Sequence, residues 1–207
     1  MKTLLATLAL VTLAACGGDN GGGTATDPAG SPPDNSIPTE APAAPGTVHT
    51  RGLVTVMDTG SPELCLGPVA ESYPPQCGGP KIRGWDWADQ RGVFDQQGKV
   101  RWGQFAVTGT WDGTTFTVEN AIPAALYDAM APEEPTVPPA ARSYTQRELE
   151  DIAARLGSEL PGAQGSFADD GHVLVDVIYD DGSLQAWADD QYGKNVVVVV
   201  PSLVDGP

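Results

Sequence analysis

The feature that most limits what this chain can fold into is a stretch, residues 17–46, that cannot build a core. Thirteen of its thirty positions are Gly or Pro, and Ile37 is its only large apolar side chain. So little apolar surface cannot offset the entropy lost when a backbone is ordered. We therefore expect residues 16–46 to form a flexible tether. The roughly 160 residues that follow are enough for one ordinary domain or two small ones.

The N-terminus has the pattern of a secretory signal peptide over residues 1–15. Lys2 is followed by an uncharged run, 4–13, which is too short to span a bilayer as a helix. The run ends in Leu-Ala-Ala-Cys16, which resembles the lipobox of bacterial lipoproteins, where the Cys thiol takes a diacylglycerol and the chain is cut before it. The resemblance implies that Cys16 carries acyl chains such as palmitate. They would anchor the protein to the extracytoplasmic face of the cell membrane.

The charge of the chain excludes one class of partner. Its formal net charge is -16, with 27 acidic and 11 basic side chains. Nucleic acid binding requires a cationic surface, so we expect no nucleic acid partner. Anionic lipid headgroups also repel such a chain, which leaves the lipid anchor as its contact with the membrane.

Two cysteines remain after Cys16, and their use depends on the compartment. In an exported chain, Cys65 and Cys77 are expected to form a structural disulfide. A zinc site would need further ligands, and the only histidines are His49 and His172. A redox pair more often has the spacing Cys-x-x-Cys. Closing a loop of this size contributes roughly 3 kcal/mol through the entropy of the unfolded chain.

The segment 47–127 has the composition of a disulfide-stapled β domain. Asp112-Gly113 between two apolar runs predicts a two-residue hairpin turn with positive φ at both positions. Period-two alternation predicts a shared core face. The expected strands are 48–57, 81–87, 100–111 and 114–119, and the expected core residues are Phe105, Val107, Trp111, Phe116 and Val118.

A Pro-rich connection at 128–143 precedes a half with a different periodicity, 144–207. Thr145 and Glu148 fit a capping box, and Gly157 is expected to end that helix. A strand at 172–179, a helix opening at 181–183 and a run of five valines, 196–200, follow in order. This order predicts parallel strands joined by a right-handed crossover, with the valine strand covered on both faces.

The predicted fold class is therefore α+β. A small antiparallel β barrel or sandwich, with an OB-like barrel as one form, is followed by a small α-β-α-β domain.

Three segments carry a resemblance to a family. Ser61-Pro-Glu-Leu-Cys-Leu-Gly67, Pro74-Pro-Gln-Cys-Gly-Gly79 and Gly84-Trp-Asp-Trp87 are similar to those of uncharacterised exported lipoproteins of high-GC Gram-positive bacteria. The motifs Trp102-Gly103 and 107–113 also fit. The likeness covers most of the β half and implies the disulfide and the envelope location. It implies no activity.

The sequence contains none of the usual catalytic motifs, such as Gly-x-Ser-x-Gly, the phosphate-binding Gly-x-x-x-x-Gly-Lys-Ser/Thr or His-Glu-x-x-His. We expect no cofactor and no metal site. The Asp pairs 169–170, 180–181 and 189–190 lack the spacing of a calcium loop. The first two are followed by Gly and are typical of turns, and the third is typical of a solvated helix face. The candidate catalytic residues are Asp176, flanked by valines, and Asp86, between two tryptophans. The alternative is that both simply face solvent.

Aromatic side chains supply the candidate binding site. Trp85 and Trp87 alternate onto one face of their expected strand, and with Trp102 and Tyr73 they can form a platform for a sugar ring or an apolar peptide. The alternative is that they fill the core of a small β domain. The first functional hypothesis is a non-enzymatic, lipid-anchored envelope protein that binds another envelope protein or wall glycan. The second is an envelope hydrolase that uses a carboxylate pair.

Overall fold

The computed structural model of the protein describes residues 36–128 and 137–206. The expected signal peptide, Cys16, the first part of the tether and residues 129–136 of the Pro-rich connection lie outside the described residues. Within the described ranges no helix is long and apolar enough to cross a membrane.

The elements follow one another along the chain in an order that is mostly β in the first half and mixed in the second. They are β1 (Thr47–Thr50), β2 (Val54–Asp58), β3 (Pro62–Cys65), β4 (Ile82–Arg83), β5 (Asp95–Gln97), β6 (Val100–Trp111), β7 (Phe116–Pro123), a 3-10 turn (Ala124–Leu126), α1 (Gln146–Glu159), β8 (Ala163–Asp169), β9 (His172–Val177), α2 (Ser183–Tyr192), β10 (Val197–Pro201) and β11 (Leu203–Asp205).

The first sheet is organised around β6. One edge of β6 pairs with β2 along its first half and with β1 along its second half. The other edge pairs with β5 and then β7, and all four neighbours are antiparallel to β6. The order β11-β1-β6-β2-β3 gives a mainly antiparallel sheet, which curls into a half-barrel. With the two helices, this confirms the α+β class at the coarse level.

Alternation along β6 and β7 defines the first core. Phe105, Val107, Trp111 and Phe116 are buried on one face, as predicted, and Val118 is half-buried against them. The strand expected over 48–57 is divided in two by a bend at Arg51–Gly52. Of the strand expected over 81–87, only β4 forms.

The hairpin between β6 and β7 differs from the predicted two-residue turn. Trp111 pairs with Phe116 across it, so four residues form the turn. Gly113 has φ 93°, whereas Asp112 has negative φ. The Asp112 carboxylate accepts the Thr115 backbone N–H at 2.7 Å and the Thr114 hydroxyl at 2.8 Å. The hydrogen bond from the Thr114 hydroxyl, followed by those from the backbone N–H groups, lowers the pKa of Asp112. Because the carboxylate accepts the backbone N–H groups of the turn, Asp112 does not need the positive φ that a two-residue turn would require.

The second sheet has the order β10-β9-β8. β9 and β10 are parallel with α2 between them, as predicted. β8 was not predicted, so the half reads α-β-β-α-β. Helix α1 begins with the predicted capping box, in which Glu148 accepts the Thr145 N–H at 2.7 Å, but it continues through Gly157, where it was expected to end, to Glu159. Its apolar face packs on the sheet, in a core formed by Leu149, Ala153, Leu156, Leu160, Val173, Val175, Val177, Leu184, Ala188, Val196, Val197 and Val199.

β10, which holds most of the five-valine run, is an edge strand of its sheet. Only one of its faces is fully covered, which contradicts the prediction of cover on both faces. Val197 and Val199 are buried under the helices, whereas Val198 and Val200 on the other face are only half-buried. The Gln185 side chain occupies the free edge: its amide donates to the Val197 carbonyl at 3.0 Å and its oxygen accepts the Val199 N–H at 2.9 Å. An edge satisfied in this way is protected from pairing with another strand.

The two halves are joined through the C-terminus. β11 pairs with β1, which places the last strand of the chain in the first sheet. Ile178 and Tyr179 are also buried in the first core. The Tyr179 hydroxyl donates to Asp205 at 2.9 Å, and burial raises the pKa of Tyr179 to about 12. The first core and the first sheet therefore both contain residues from the C-terminal side of the boundary expected near 128–143.

Ordered contacts also begin before the expected tether boundary at residue 46. The Trp111 indole donates to the Pro42 carbonyl at 2.9 Å, and the Ala44 N–H donates to the Trp111 carbonyl at 3.0 Å. Ile37 packs against the second core. Ile37, the one large apolar residue of the Gly- and Pro-rich stretch, is therefore in contact with the folded part of the chain.

Candidate functional site

The candidate site begins with the loop between Cys65 and Cys77. The two sulfur atoms lie at disulfide-bonding distance, with Cα atoms 5.8 Å apart, as predicted. Cys65 is the last residue of β3, so one end of the loop is fixed to the first sheet. The Cys77 sulfur also contacts the Met57 sulfur at 3.7 Å.

The loop is held by its own backbone as well as by the staple. The Ala70 N–H donates to the Gln76 carbonyl at 2.8 Å, and the Ser72 hydroxyl donates to the Pro74 carbonyl at 2.8 Å. Beyond the staple, a Cβ at Gly79 would clash with the Leu64 carbonyl oxygen. Only glycine therefore permits the returning chain to lie this close to β3.

The loop places Tyr73 over the sheet face opposite to the first core. On β6, Trp102 lies on the other side of the strand from Phe105, and Tyr73 packs edge-on against it with ring centroids 5.2 Å apart. Trp102 is 9% exposed and Tyr73 is 71% exposed. The buried indole supports a phenol ring that remains open to solvent.

These two rings line a groove of 740 Å³, here called the Tyr73–Trp102 groove. Its walls are the stapled loop, the segment 92–95 and the residues that follow β7. Polar side chains come from the stapled loop, from the segment 92–95 and from the strands of the floor: Thr55, Glu71, Ser72, Asp95 and Gln104. The volume is that of a small-molecule or oligomer site, in which apolar surface binds and a few polar groups orient the ligand.

Trp85 and Trp87 do not belong to this groove. Both pack into the first core around Phe105, with ring centroids 4.9 Å and 6.5 Å from that ring. The Trp87 indole donates to the Asp58 carboxylate at 2.9 Å. The four aromatic residues considered as one platform are therefore divided between a core pair and a groove pair.

The two carboxylates considered for catalysis lie apart from the groove. Asp86 is exposed and accepts the Ala88 N–H at 2.8 Å, which fixes the turn after Trp85. Asp176 is half-buried on the outer face of β9, and burial raises the pKa of its carboxyl. Neither residue lines the Tyr73–Trp102 groove.

The histidines have ordinary structural positions. His49 lies in β1, and a ring nitrogen of His172 is 2.6 Å from the Asn195 carbonyl oxygen. Over 36–128 and 137–206, no group of three or more His, Cys, Asp or Glu side chains is arranged to hold a metal ion.

The carboxylate and amide residues of the groove were missed from the sequence. Gln104 is two positions from Trp102, so strand periodicity could have placed it on the same face. Asp95 lies opposite Trp102 in the β5–β6 hairpin, and the two residues between these strands, Gly98-Lys99, are a local turn signal that could have placed it. Glu71 is brought to the groove by the path of the stapled loop, for which no local pattern exists.

Comparison of the chain with protein-family models, with curated proteins and with solved structures finds no match in any of the three.

Proposed function

We propose that this protein is a non-enzymatic, lipid-anchored envelope protein whose Tyr73–Trp102 groove binds a glycan. The observation that carries the proposal is the Tyr73 ring, which is 71% exposed and yet held against Trp102 by a stapled loop. An aromatic ring fixed in the open offers its face to a ligand with little further loss of conformational entropy.

The chemistry of the walls favours a sugar. The C–H groups on the face of a pyranose pack on aromatic rings, and its hydroxyl groups need donors and acceptors around them. Tyr73 supplies the ring, and Glu71, Asp95 and Gln104 supply exposed carboxylate and amide groups in the same groove. An apolar peptide would leave these groups without partners, which costs binding free energy.

We also propose that the first sheet is an OB-like barrel, because this fold would suit a glycan-binding groove. Barrels of that kind bind oligosaccharides on the sheet face and on the loops beside it. The groove lies on a curled sheet between two loops, which agrees with that arrangement.

The location is proposed from the sequence. The Leu-Ala-Ala-Cys16 box and the likeness to exported lipoproteins of high-GC Gram-positive bacteria support a lipid at Cys16 and an extracytoplasmic position. Metabolic labelling with a lipid precursor should mark the wild-type chain. Cys16→Ala should abolish the label, and a labelled variant would contradict the anchor.

Binding is tested with neutral oligosaccharides, using N-acetylglucosamine oligomers as the first probe, by isothermal titration calorimetry. Tyr73→Ala should weaken binding by about tenfold or more, because it removes the exposed ring. Phe167→Ala is the matched control, since Phe167 is 49% exposed and belongs to the second sheet. Equal affinity of the wild type and Tyr73→Ala, or selective loss in Phe167→Ala, would contradict the site.

The second candidate function is an envelope glycan hydrolase. It is favoured by the presence of two carboxylates, Glu71 and Asp95, in one groove with an aromatic ring. Such an enzyme needs a carboxylate pair across the scissile bond. Release of reducing ends from oligosaccharides by the wild type, and its loss in Asp95→Asn, would favour this function over simple binding.

A further inference from the structure

Among the described residues, the charged side chains that line the Tyr73–Trp102 groove are all acidic. Glu71 and Asp95 line it, and no Lys, Arg or His of the described ranges does. Both carboxylate-bearing residues are exposed. The groove therefore has a negative potential, added to that of a chain whose net charge is -16.

Neither carboxylate is used in an ion pair within the described ranges. The two salt bridges found there are Lys81–Glu63, at 3.1 Å, and Arg155–Glu159, at 2.9 Å. Glu63 belongs to the same sheet as the groove, and its carboxylate is paired with the Lys81 ammonium group. Neither Glu71 nor Asp95 forms an ion pair with a cationic side chain of the residues that the structure describes.

We infer that the groove takes glycans without acidic groups, and that Glu71 and Asp95 favour a sugar with a free protonated amine over its N-acetylated counterpart. This inference rests on the proposed function. An ammonium group gains charge-assisted hydrogen bonds from the two carboxylates. A uronic acid or phosphate at the same position is repelled and loses its hydration without a partner.

The test uses three oligomers of matched length: glucosamine, N-acetylglucosamine and galacturonate. Binding to the whole folded chain is measured by calorimetry in a mildly acidic buffer, where the amines are protonated. We expect affinity to fall in the order given, with galacturonate not bound. Added salt should weaken the glucosamine oligomer most.

A double variant, Glu71→Gln with Asp95→Asn, separates charge from shape. It should weaken the glucosamine oligomer by about tenfold and leave the N-acetylglucosamine oligomer almost unchanged, since two exposed charge interactions are lost.

Because the whole chain is acidic, a control must remove the same charge elsewhere. Glu119→Gln with Asp151→Asn removes one Glu and one Asp at exposed positions outside the groove. It should keep wild-type affinity for both oligomers. An equal loss of glucosamine binding in the two double variants would show attraction to overall charge and would overturn the inference.

The outcomes distinguish this inference from the proposed function. If the N-acetylglucosamine oligomer binds through Tyr73 while glucosamine shows no preference, the charge selection is wrong and the glycan site stands. If no oligomer binds the wild type, the proposed function and this inference both fall.

Discussion

The two cores of the molecule use different side chains for the same purpose. The first core mixes aliphatic residues with aromatic rings: Trp87, Trp111, Phe105 and Phe116 belong to it, and Trp85 and Trp87 meet the Phe105 ring edge to face. The second core is aliphatic and is built from valines, leucines and alanines between two helices and a three-stranded sheet. β-Branched side chains such as valine favour regular strands, where they pack well against their neighbours.

This difference agrees with the position of the candidate site. The aromatic half needs a staple and long connections, and one of these connections forms the wall of the Tyr73–Trp102 groove. The aliphatic half is more regular, and even the free edge of β10 is closed by Gln185. The regular half stabilises the fold, and the stapled loop of the other half supplies side chains to the candidate binding groove.

The largest expected effect tests the contrast between the cores. Phe105→Ala should destabilise the protein by about 4 kcal/mol, because a fully buried ring is lost from between two tryptophans. Leu156→Ala in the second core is the matched change and should cost about 3 kcal/mol. Chemical denaturation measures both. Only Phe105→Ala should reduce the near-ultraviolet circular dichroism, and an equal reduction in both would break the contrast.

The staple is expected to have the next largest effect. Cys65→Ser with Cys77→Ser should lower the free energy of unfolding by about 3 kcal/mol, because the unfolded chain regains the freedom of that loop. Oligosaccharide binding should also be lost, since Tyr73 is no longer held over Trp102. Mass spectrometry without reductant should find Cys65 and Cys77 joined, and free thiols at these positions would contradict the disulfide.

A smaller effect is expected at the hydrogen bond beneath the first core. Asp58→Ala should destabilise by about 1 to 2 kcal/mol, because the largely buried Trp87 indole loses its acceptor and the Gly60 N–H loses another. Asp58→Asn retains one oxygen and should recover part of the loss. If Asn and Ala were equally destabilising in thermal unfolding, the bond to Trp87 would not be the cause.

The smallest expected effect is a gain in the second sheet. Burial raises the pKa of Asp176, so this carboxyl favours the folded state while it is protonated and loses that contribution as the pH rises through its folded value. Asp176→Asn should therefore raise the melting temperature at neutral pH by about 1–2 °C. The gain should vanish in acid, where the wild type is also neutral. A gain that is independent of pH would contradict burial as its origin.

The parts of the fold with strong local patterns were predictable. The capping box at Thr145 and the parallel pair β9–β10 follow from spacing and element order. β8 was missed because its sequence, Ala-Gln-Gly-Ser-Phe-Ala-Asp, has no β-branched residue and is held by pairing with β9. The pairing of β11 with β1 joins distant segments and has no local signal.

The sequence predicted the Cys65–Cys77 disulfide that frames the candidate site. Of the four aromatic residues named from the sequence, Tyr73 and Trp102 line the groove, and their role in binding stays a prediction. Trp85 and Trp87 pack in the first core. The strand expected around them ends at Arg83, so packing on Phe105, and not strand alternation, sets the direction of their side chains. Tertiary contacts decide which face a ring takes when its strand is short.

One spectrum tests the central claim most directly, because the five tryptophan indoles give separate N–H signals in a nitrogen-labelled protein. On addition of an N-acetylglucosamine oligomer, the account predicts a large shift of the Trp102 signal. The signals of Trp87 and Trp111, whose indoles are bonded to Asp58 and the Pro42 carbonyl, should stay in place. An unmoved Trp102 signal at saturating oligomer, or a shift confined to the other indoles, would contradict it.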